Sequence, residues 1–289
     1  MQIRIAGMTI ALSATDPSLT PLFAGAAVRF AVPADRAPDV DILVERSAVM
    51  PRRSSELLFD SGGAWVVSDD DGRYRIDCTS PVYGDQPYKV AWFDRSFRSG
   101  RLLLRADIFE GEADALGYPL DEVLIANLLG RGRGVELHGC GVIEGGRGRL
   151  FVGQSGAGKT TTARLWLARG GVEVVSDDRV IVRQIDGEWR MFGTPWHGEA
   201  ELSSPASAPL DAIYLLQQAP ATRVVKISPA EAAARLFGCT FPLFYDPQAI
   251  DFALQCLDRI VNDVPVRVLE FTADASVIEA VSNRPAMPQ

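Results

Sequence analysis

The chain has 289 residues, of which 47% are hydrophobic and 23% charged, and its formal net charge is −8. This composition is typical of a globular protein with enough apolar material for one large domain or two ordinary ones, and the acidic balance argues against nucleic-acid binding. Four scattered cysteines, no apolar run of membrane-spanning length and no signal-peptide core make a reduced, cytoplasmic protein the expectation, with no membrane or nucleic-acid partner.

The first part of the chain, residues 1–118, is predicted to be rich in β-strands. Two strand-like runs, Ala64–Ser68 and Arg73–Cys78, flank an Asp-Asp-Asp-Gly sequence that favours a hairpin turn. Helical periodicity appears over Pro119–Leu129, and the sequence GRGRG at 130–134 interrupts it. We therefore predict a β-rich N-terminal domain over 1–130, of open role, and a second domain over 131–289.

The second domain alternates predicted strands and helices, which gives the chain an α/β class with α+β character. Its predicted strands are Val135–Glu144, Arg149–Gly153, Val172–Ser176, Val180–Ile185, Glu188–Phe192, Leu210–Leu216 and Val264–Phe271. Its predicted helices are Thr161–Arg169, Pro229–Phe237, Pro247–Asn262 and Asp274–Val281. The pair Asp186-Gly187 predicts a second hairpin turn, and residues 285–289 are expected to fray.

A glycine-rich segment between a predicted strand and helix reads GQSGAGKT and matches G-x-x-x-x-G-K-[ST], the phosphate loop. Its glycines let backbone N–H groups converge on an anion, and the helix N-terminus adds a positive dipole end. Lys159 can reach the β- and γ-phosphates of a nucleotide, and the Thr160 hydroxyl can hold Mg²⁺. The candidate nucleotide-binding residues are Gly153, Gln154, Ser155, Gly156, Ala157, Gly158, Lys159, Thr160 and Thr161.

Two adjacent carboxylates, Asp177 and Asp178, follow the strand that comes directly after the phosphate-loop helix. One can bind Mg²⁺ while the other accepts a proton from an incoming hydroxyl. Because adjacent side chains in a strand point to opposite faces, both tasks require a bend at this place. A solvated turn is the alternative. His138, on the strand before the loop, is either a structural residue or a participant in this chemistry.

A third candidate segment, Gly193–Glu199, reads GTPWHGE. Its glycines, proline, aromatic ring, histidine and carboxylate are typical of a loop that approaches a ligand closely. His197 and Glu199 are therefore candidates for contact with the phosphoryl acceptor or for outer-shell support of a metal. A connector packed against the rest of the protein is an equally good interpretation.

The combination of His138-Gly139 on a strand, the loop Gly153–Thr160 and a strand ending in Asp177-Asp178 resembles the C-terminal domain of HPr kinase/phosphorylase. That family transfers phosphate from ATP to a serine of the phosphocarrier protein HPr, and shares its nucleotide fold with the ATP-dependent phosphoenolpyruvate carboxykinases. Thr160-Thr161 stands where the family has Ser-Glu, and Phe192–Glu199 replaces the signature tied to the phosphorylase reaction. The chain is therefore more similar to the HPr-kinase-related proteins that modify ribosomal precursor peptides, such as lasso-peptide precursors.

This resemblance implies a P-loop core like that of the carboxykinases, with ATP and Mg²⁺ as ligands. It implies that Thr160 and Asp178 hold the metal and that Asp177 is the catalytic base. The opposite assignment, with Asp177 as the metal ligand and Asp178 as the base, stays open. It further implies that Lys159 neutralises charge on the phosphates and that His138 orients or charge-balances the base.

We therefore predict an ATP- and Mg²⁺-dependent kinase that phosphorylates a serine hydroxyl. Its partner would be a protein or peptide bearing that serine, either an HPr-like phosphocarrier or a ribosomal precursor peptide, and a homo-oligomer is possible. Two alternatives stay open: a kinase for a free small-molecule hydroxyl, and a nucleotide-gated binding protein without phosphoryl transfer.

Overall fold

The structure, a computed structural model, describes residues 1–282. It confirms a mixed α/β fold that is rich in strands, with 40% of the residues in strands and 24% in helices. The chain forms two compact units, of which the first comprises Met1–Arg131 and Leu243–Pro247. The second comprises Gly132–Pro242 and the described residues from Gln248 on.

Within residues 1–282, no helix is both long and apolar enough to cross a membrane. The predicted frayed end at 285–289 lies outside the described residues.

The first unit contains a nine-stranded mixed sheet, in the order β4-β1-β2-β5-β10-β9-β8-β7-β6, and a separate pair of β3 with β11. Its strands are β1 (Gln2–Ile5), β2 (Met8–Ala14), β3 (Thr20–Leu22), β4 (Ala31–Val32), β5 (Val40–Ser47), β6 (Glu56–Asp60), β7 (Trp65–Asp70), β8 (Arg73–Cys78), β9 (Lys89–Phe93), β10 (Ser99–Arg105) and β11 (Glu112–Asp114). One α-helix, α1 (Leu120–Leu128), follows them.

The predicted hairpin of the first unit is confirmed between β7 and β8. Asp70 pairs with Arg73, so Asp71 and Gly72 form a two-residue turn in which both have positive φ, at 49° and 78°. That combination matches the right-handed twist of the flanking strands.

A short segment from late in the chain also belongs to the first unit. The hydroxyl of Tyr245 accepts a hydrogen bond from Nδ2 of Asn127 at 2.7 Å, and its ring lies 5.7 Å from the ring of Phe59. Burial raises the pKa of the Tyr245 phenol. These contacts attach Leu243–Pro247 to the first unit.

The described residues of the second unit form eight strands and four helices. The strands are β12 (Val135–Glu144), β13 (Arg147–Val152), β14 (Val172–Ser176), β15 (Arg179–Ile185), β16 (Glu188–Phe192), β17 (Ser207–Gln218), β18 (Arg223–Lys226) and β19 (Val266–Phe271). The helices are α2 (Lys159–Arg169), α3 (Pro229–Phe237), α4 (Pro247–Asp263) and α5 (Ser276–Ser282). The helix α3 begins with a side-chain N-cap, because the Ser228 hydroxyl accepts the N–H of Glu231.

Five of these strands close into a small barrel. The order β13-β12-β15-β16-β17 is completed by a parallel pairing of β13 with β17. Outside this ring, β14 pairs with β12, and β19 continues the sheet from β17 to β18. Closure removes free edges from the five barrel strands, which would otherwise present unpaired backbone groups.

Three of the strands, β13, β17 and β19, are parallel and carry helices on both faces. On β13, Phe151 packs in one hydrophobic cluster with Trp166 of α2, whereas the neighbouring Leu150 packs in another with Leu236 of α3. This alternation follows from the two-residue repeat of a strand.

Because the three strands β13, β17 and β19 are parallel, their carboxyl ends meet at one edge of the sheet. This is the edge at which α/β proteins bind ligands.

Candidate functional site

The loop Gly153–Thr160 lies at this edge, between the end of β13 and the start of α2. Gly156 and Gly158 have positive φ values of 79° and 105°, which residues with a side chain rarely adopt. A Cβ on Gly158 would lie 2.5 Å from the ring of Phe271, the last residue of β19. The loop therefore requires glycine at this position both for its backbone conformation and for its contact with the neighbouring strand.

Lys159 is the first residue of α2 and is only 7% exposed. Its ammonium donates hydrogen bonds to the carbonyl oxygens of Gly153 and Gln154, both at 3.0 Å. Burial lowers the pKa of Lys159, while the charge of Asp178 acts in the opposite direction. A polyphosphate bound in the loop would supply the negative charge that this desolvated ammonium lacks.

Gln218, the last residue of β17, was not identified from the sequence. Its side-chain amide donates to the carbonyl oxygen of Gly156 at 2.9 Å, so it ties the tip of the loop to the neighbouring strand. The available signal was a polar residue just after the apolar run Leu210–Leu216, on a strand parallel to the one before the loop. The sequence does not show that β13 and β17 are neighbours, so it could not indicate that Gln218 lies beside the loop.

Asp177 and Asp178 form a bend between β14 and β15, as the proposed division of their tasks requires. Asp177 is 1% exposed. Its carboxylate accepts the backbone N–H groups of Gly198, Ala200 and Leu202, at 2.9, 2.9 and 3.3 Å. These three bonds give Asp177 a structural task, which is to hold the segment that follows His197 against the bend.

Replacing Asp177 by Asn should therefore destabilise the protein. An Asn side chain has only one oxygen acceptor, so at least one of the partly buried N–H groups, that of Ala200 for example, would face an amide donor. We expect the free energy of unfolding to fall by about 1–3 kcal/mol, measured by urea denaturation. The control is Asp186→Asn in the exposed turn between β15 and β16, which should leave stability close to that of the parent protein. An unchanged free energy of unfolding in Asp177→Asn would contradict this role.

Asp178 is less buried than Asp177, and two side chains with ring or guanidinium nitrogens lie close to its carboxylate. Nε2 of His138 lies 3.1 Å from its Oδ1, and Nε of Arg179 lies 3.4 Å from its Oδ2. Since an ionised carboxylate only accepts hydrogen bonds, Nε2 of His138 must carry the proton in this pair. The hydrogen bond from His138 lowers the pKa of Asp178, and the charges of His138, Arg179 and Lys159 add to this effect against opposing burial.

The backbone of His138 fixes this pair beside the loop. The carbonyl oxygen of His138 accepts the N–H of Gly153 at 3.1 Å. The backbone N–H of His138 donates to the carbonyl oxygen of Cys239 at 2.8 Å. The N–H of Gly139 donates to the carbonyl oxygen of Asp178 at 2.9 Å. One residue of β12 is thus bonded to the start of the loop, and its neighbour to the Asp-Asp bend.

The two candidates in the segment Gly193–Glu199 lie in different places. Glu199 is exposed and lines the cavity above the loop, whereas the exposed His197 is not among its lining residues. Gly193 approaches the backbone closely, because a Cβ there would lie 2.0 Å from the carbonyl oxygen of Ser204. The segment is fastened at its start by Thr194, whose hydroxyl donates to the carbonyl oxygen of Arg179 at 2.6 Å.

A cavity of about 320 Å³ brings most of the predicted site residues together. Its lining consists of His138, Ser155, Gly156, Gly158, Lys159, Thr160, Thr161, Asp177, Asp178, Gly198, Glu199 and Gln218. Of the remaining candidates, Gly153 and Gln154 offer the carbonyl oxygens that bind Lys159, and Ala157 packs beneath the loop.

These residues fit a nucleoside triphosphate with Mg²⁺. The left-handed glycines and the desolvated ammonium of Lys159 suit a polyphosphate, and Thr160 and Asp178 offer two oxygen ligands at its side. Among residues 1–282, no group of three or more His, Cys, Asp or Glu side chains is placed to hold a metal ion. A Mg²⁺ ion here would therefore depend on phosphate oxygens and water for its other ligands, which is its usual mode of binding.

No model of a known protein family matches the chain, and no curated protein matches it at a significant level of similarity.

Proposed function

We propose that this protein is a Mg²⁺- and ATP-dependent kinase that transfers the γ-phosphoryl group to a serine hydroxyl of a protein or peptide. The observation that carries the proposal is that Lys159, Thr160, Asp178 and His138 line a single cavity. A phosphate loop alone would account for nucleotide binding. The hydrogen-bonded pair Asp178–His138 beside it supplies what transfer to a hydroxyl additionally requires.

Two groups would bind the phosphates. The ammonium of Lys159 would exchange its bonds to Gly153 and Gln154 for bonds to phosphate oxygens, and the backbone N–H groups of the loop would donate to the phosphates as well. Thr160 would hold Mg²⁺, which when bound neutralises charge that develops on the β- and γ-phosphates.

We assign Asp178, and not Asp177, to the acceptor, which leaves Thr160 as the protein ligand proposed for Mg²⁺. Asp178 is ionised at neutral pH, because its pKa is lowered, and its oxygens are not occupied by the backbone amides that hold Asp177. It accepts the proton of the serine hydroxyl while His138 keeps its orientation through Oδ1. A lowered pKa makes it a weak base, but phosphoryl transfer depends mainly on positioning and electrostatic stabilisation.

One observation favours the alternative of a nucleotide-gated binding protein. Both oxygens of Asp177 accept backbone N–H groups, which leaves Asp178 as the more accessible carboxylate of the pair. A nucleotide switch needs a carboxylate for the metal and none for an acceptor, so Asp178 alone would suffice for it.

The experiment that tests the proposal is incubation of the protein with γ-labelled ATP and Mg²⁺, in parallel with HPr, precursor peptides containing serine, and free serine. Label on a serine of a protein or peptide supports the kinase. Label on free serine alone would indicate the small-molecule kinase. Binding of ATP with no label on any acceptor would favour the nucleotide-gated binding protein.

A further inference from the structure

An exposed aromatic side chain, Phe241, stands beside the Asp178–His138 pair. Its ring centroid lies 6.1 Å from that of His138, and the guanidinium carbon of Arg179 lies 4.2 Å from the ring centre. The same guanidinium lies 5.8 Å from the ring of the half-buried Trp196. Arg179 therefore lies close to two aromatic rings and forms ion pairs with both Glu136 and Asp178.

Phe241 is held in place by the backbone around it. Thr240 forms a β-bridge with Leu137 of β12, and both its N–H and its hydroxyl donate to the carbonyl oxygen of Phe237 at the end of α3. The N–H of His138 donates to Cys239. Phe241 is therefore positioned by the same strand that carries His138, and the residue is 36% exposed.

We propose that Phe241 binds an apolar side chain next to the acceptor serine, so that the kinase prefers serines in peptide segments with large apolar neighbours. The inference rests on the proposed kinase function and specifies its substrate class. An exposed aromatic ring next to the proton-accepting carboxylate has apolar surface that a flanking Leu, Ile or Phe would cover. A free polar molecule such as serine offers nothing to this surface.

The test compares two synthetic peptide series that differ only at the positions flanking one serine, with Leu or Phe in one series and Gly in the other. For the parent protein we expect kcat/KM to be about tenfold higher for the apolar series, the size of discrimination that an apolar pocket gives. In Phe241→Ala this ratio should fall to about one, and in Phe241→Leu it should be partly retained. The matched control is Phe244→Ala, an exposed phenylalanine in the first unit, which should keep the parent ratio.

Each other outcome decides against the proposal. An unchanged ratio in Phe241→Ala overturns the assignment of Phe241 and leaves the kinase function standing. A loss of activity by an equal factor for both peptide series overturns it too, because that result would mean that the ring acts through Arg179 and Asp178. Absence of phosphorylation of any peptide by the parent protein, in spite of ATP binding, overturns the proposed function and this inference together.

Discussion

Replacing Lys159 by methionine should lower kcat/KM for phosphoryl transfer by at least about 100- to 1000-fold, the cost of removing one charged donor from a transition-state site. Methionine keeps the apolar stem of the side chain and removes the ammonium that bonds to Gly153 and Gln154. Since Lys159 is almost fully buried, its replacement by an apolar side chain is compatible with folding. The measurements are steady-state transfer and, separately, nucleotide affinity by calorimetry.

The control for this variant is Lys226→Met on β18, an exposed lysine of the same unit that lines no part of the cavity. It should keep the parent affinity and rate. A Lys159→Met protein that binds ATP and transfers phosphate as well as the Lys226 variant would contradict the role of the loop.

The pH dependence of nucleotide binding follows from the same lysine. Burial holds the pKa of Lys159 below its usual value, and a bound polyphosphate would raise it again. Nucleotide affinity is therefore highest when the pH is below the pKa that Lys159 has in the nucleotide-free protein. It declines as the pH rises through that pKa, because binding then requires uptake of a proton. In Lys159→Met this alkaline decline should disappear.

Replacing Asp178 by Asn should reduce phosphoryl transfer by about 100- to 10,000-fold, the usual contribution of a general base. The amide oxygen of Asn can still accept the hydrogen bond from His138, so the orientation of the side chain is preserved while its charge is lost. Nucleotide binding should change by only a few fold. The matched control is Asp186→Asn, and normal transfer by Asp178→Asn would contradict the assignment.

A Mg²⁺ titration of the Asp178→Asn protein separates the two roles that the sequence left open. If Asp178 accepts the proton, the Mg²⁺ concentration needed for half-maximal ATP binding stays that of the parent protein. If Asp178 is instead a metal ligand, that concentration rises, because the ion loses one of its few protein oxygens. The same titration on Asp177→Asn shows whether its backbone-bonded carboxylate contributes to the metal at all.

The elements set by local sequence could be predicted. The loop Gly153–Thr160 and the Asp71-Gly72 hairpin depend on residues only a few positions apart, and the structure forms a loop and a turn at these places. The bend at Asp177-Asp178 also follows from its neighbours, because the chain leaves β14 and re-enters a strand within two residues.

What could not be predicted depends on contacts between distant parts of the chain. The parallel pairing of β13 with β17 closes the barrel, and it alone brings Gln218 to the loop. The three amides that occupy Asp177 come from a segment more than twenty residues away. The proximity of Phe241 to His138 rests on a single β-bridge from the end of α3 to β12. None of these pairings leaves a periodic signal in the sequence.

The participation of Leu243–Pro247 in the first unit limits how this protein can be recombined with relatives. A single crossover near residue 131 would join the Asn127 of one parent to the Tyr245 of the other, and these two side chains share a hydrogen bond. Exchange of the N-terminal half between chains therefore demands two coordinated crossovers, one on either side of the short segment.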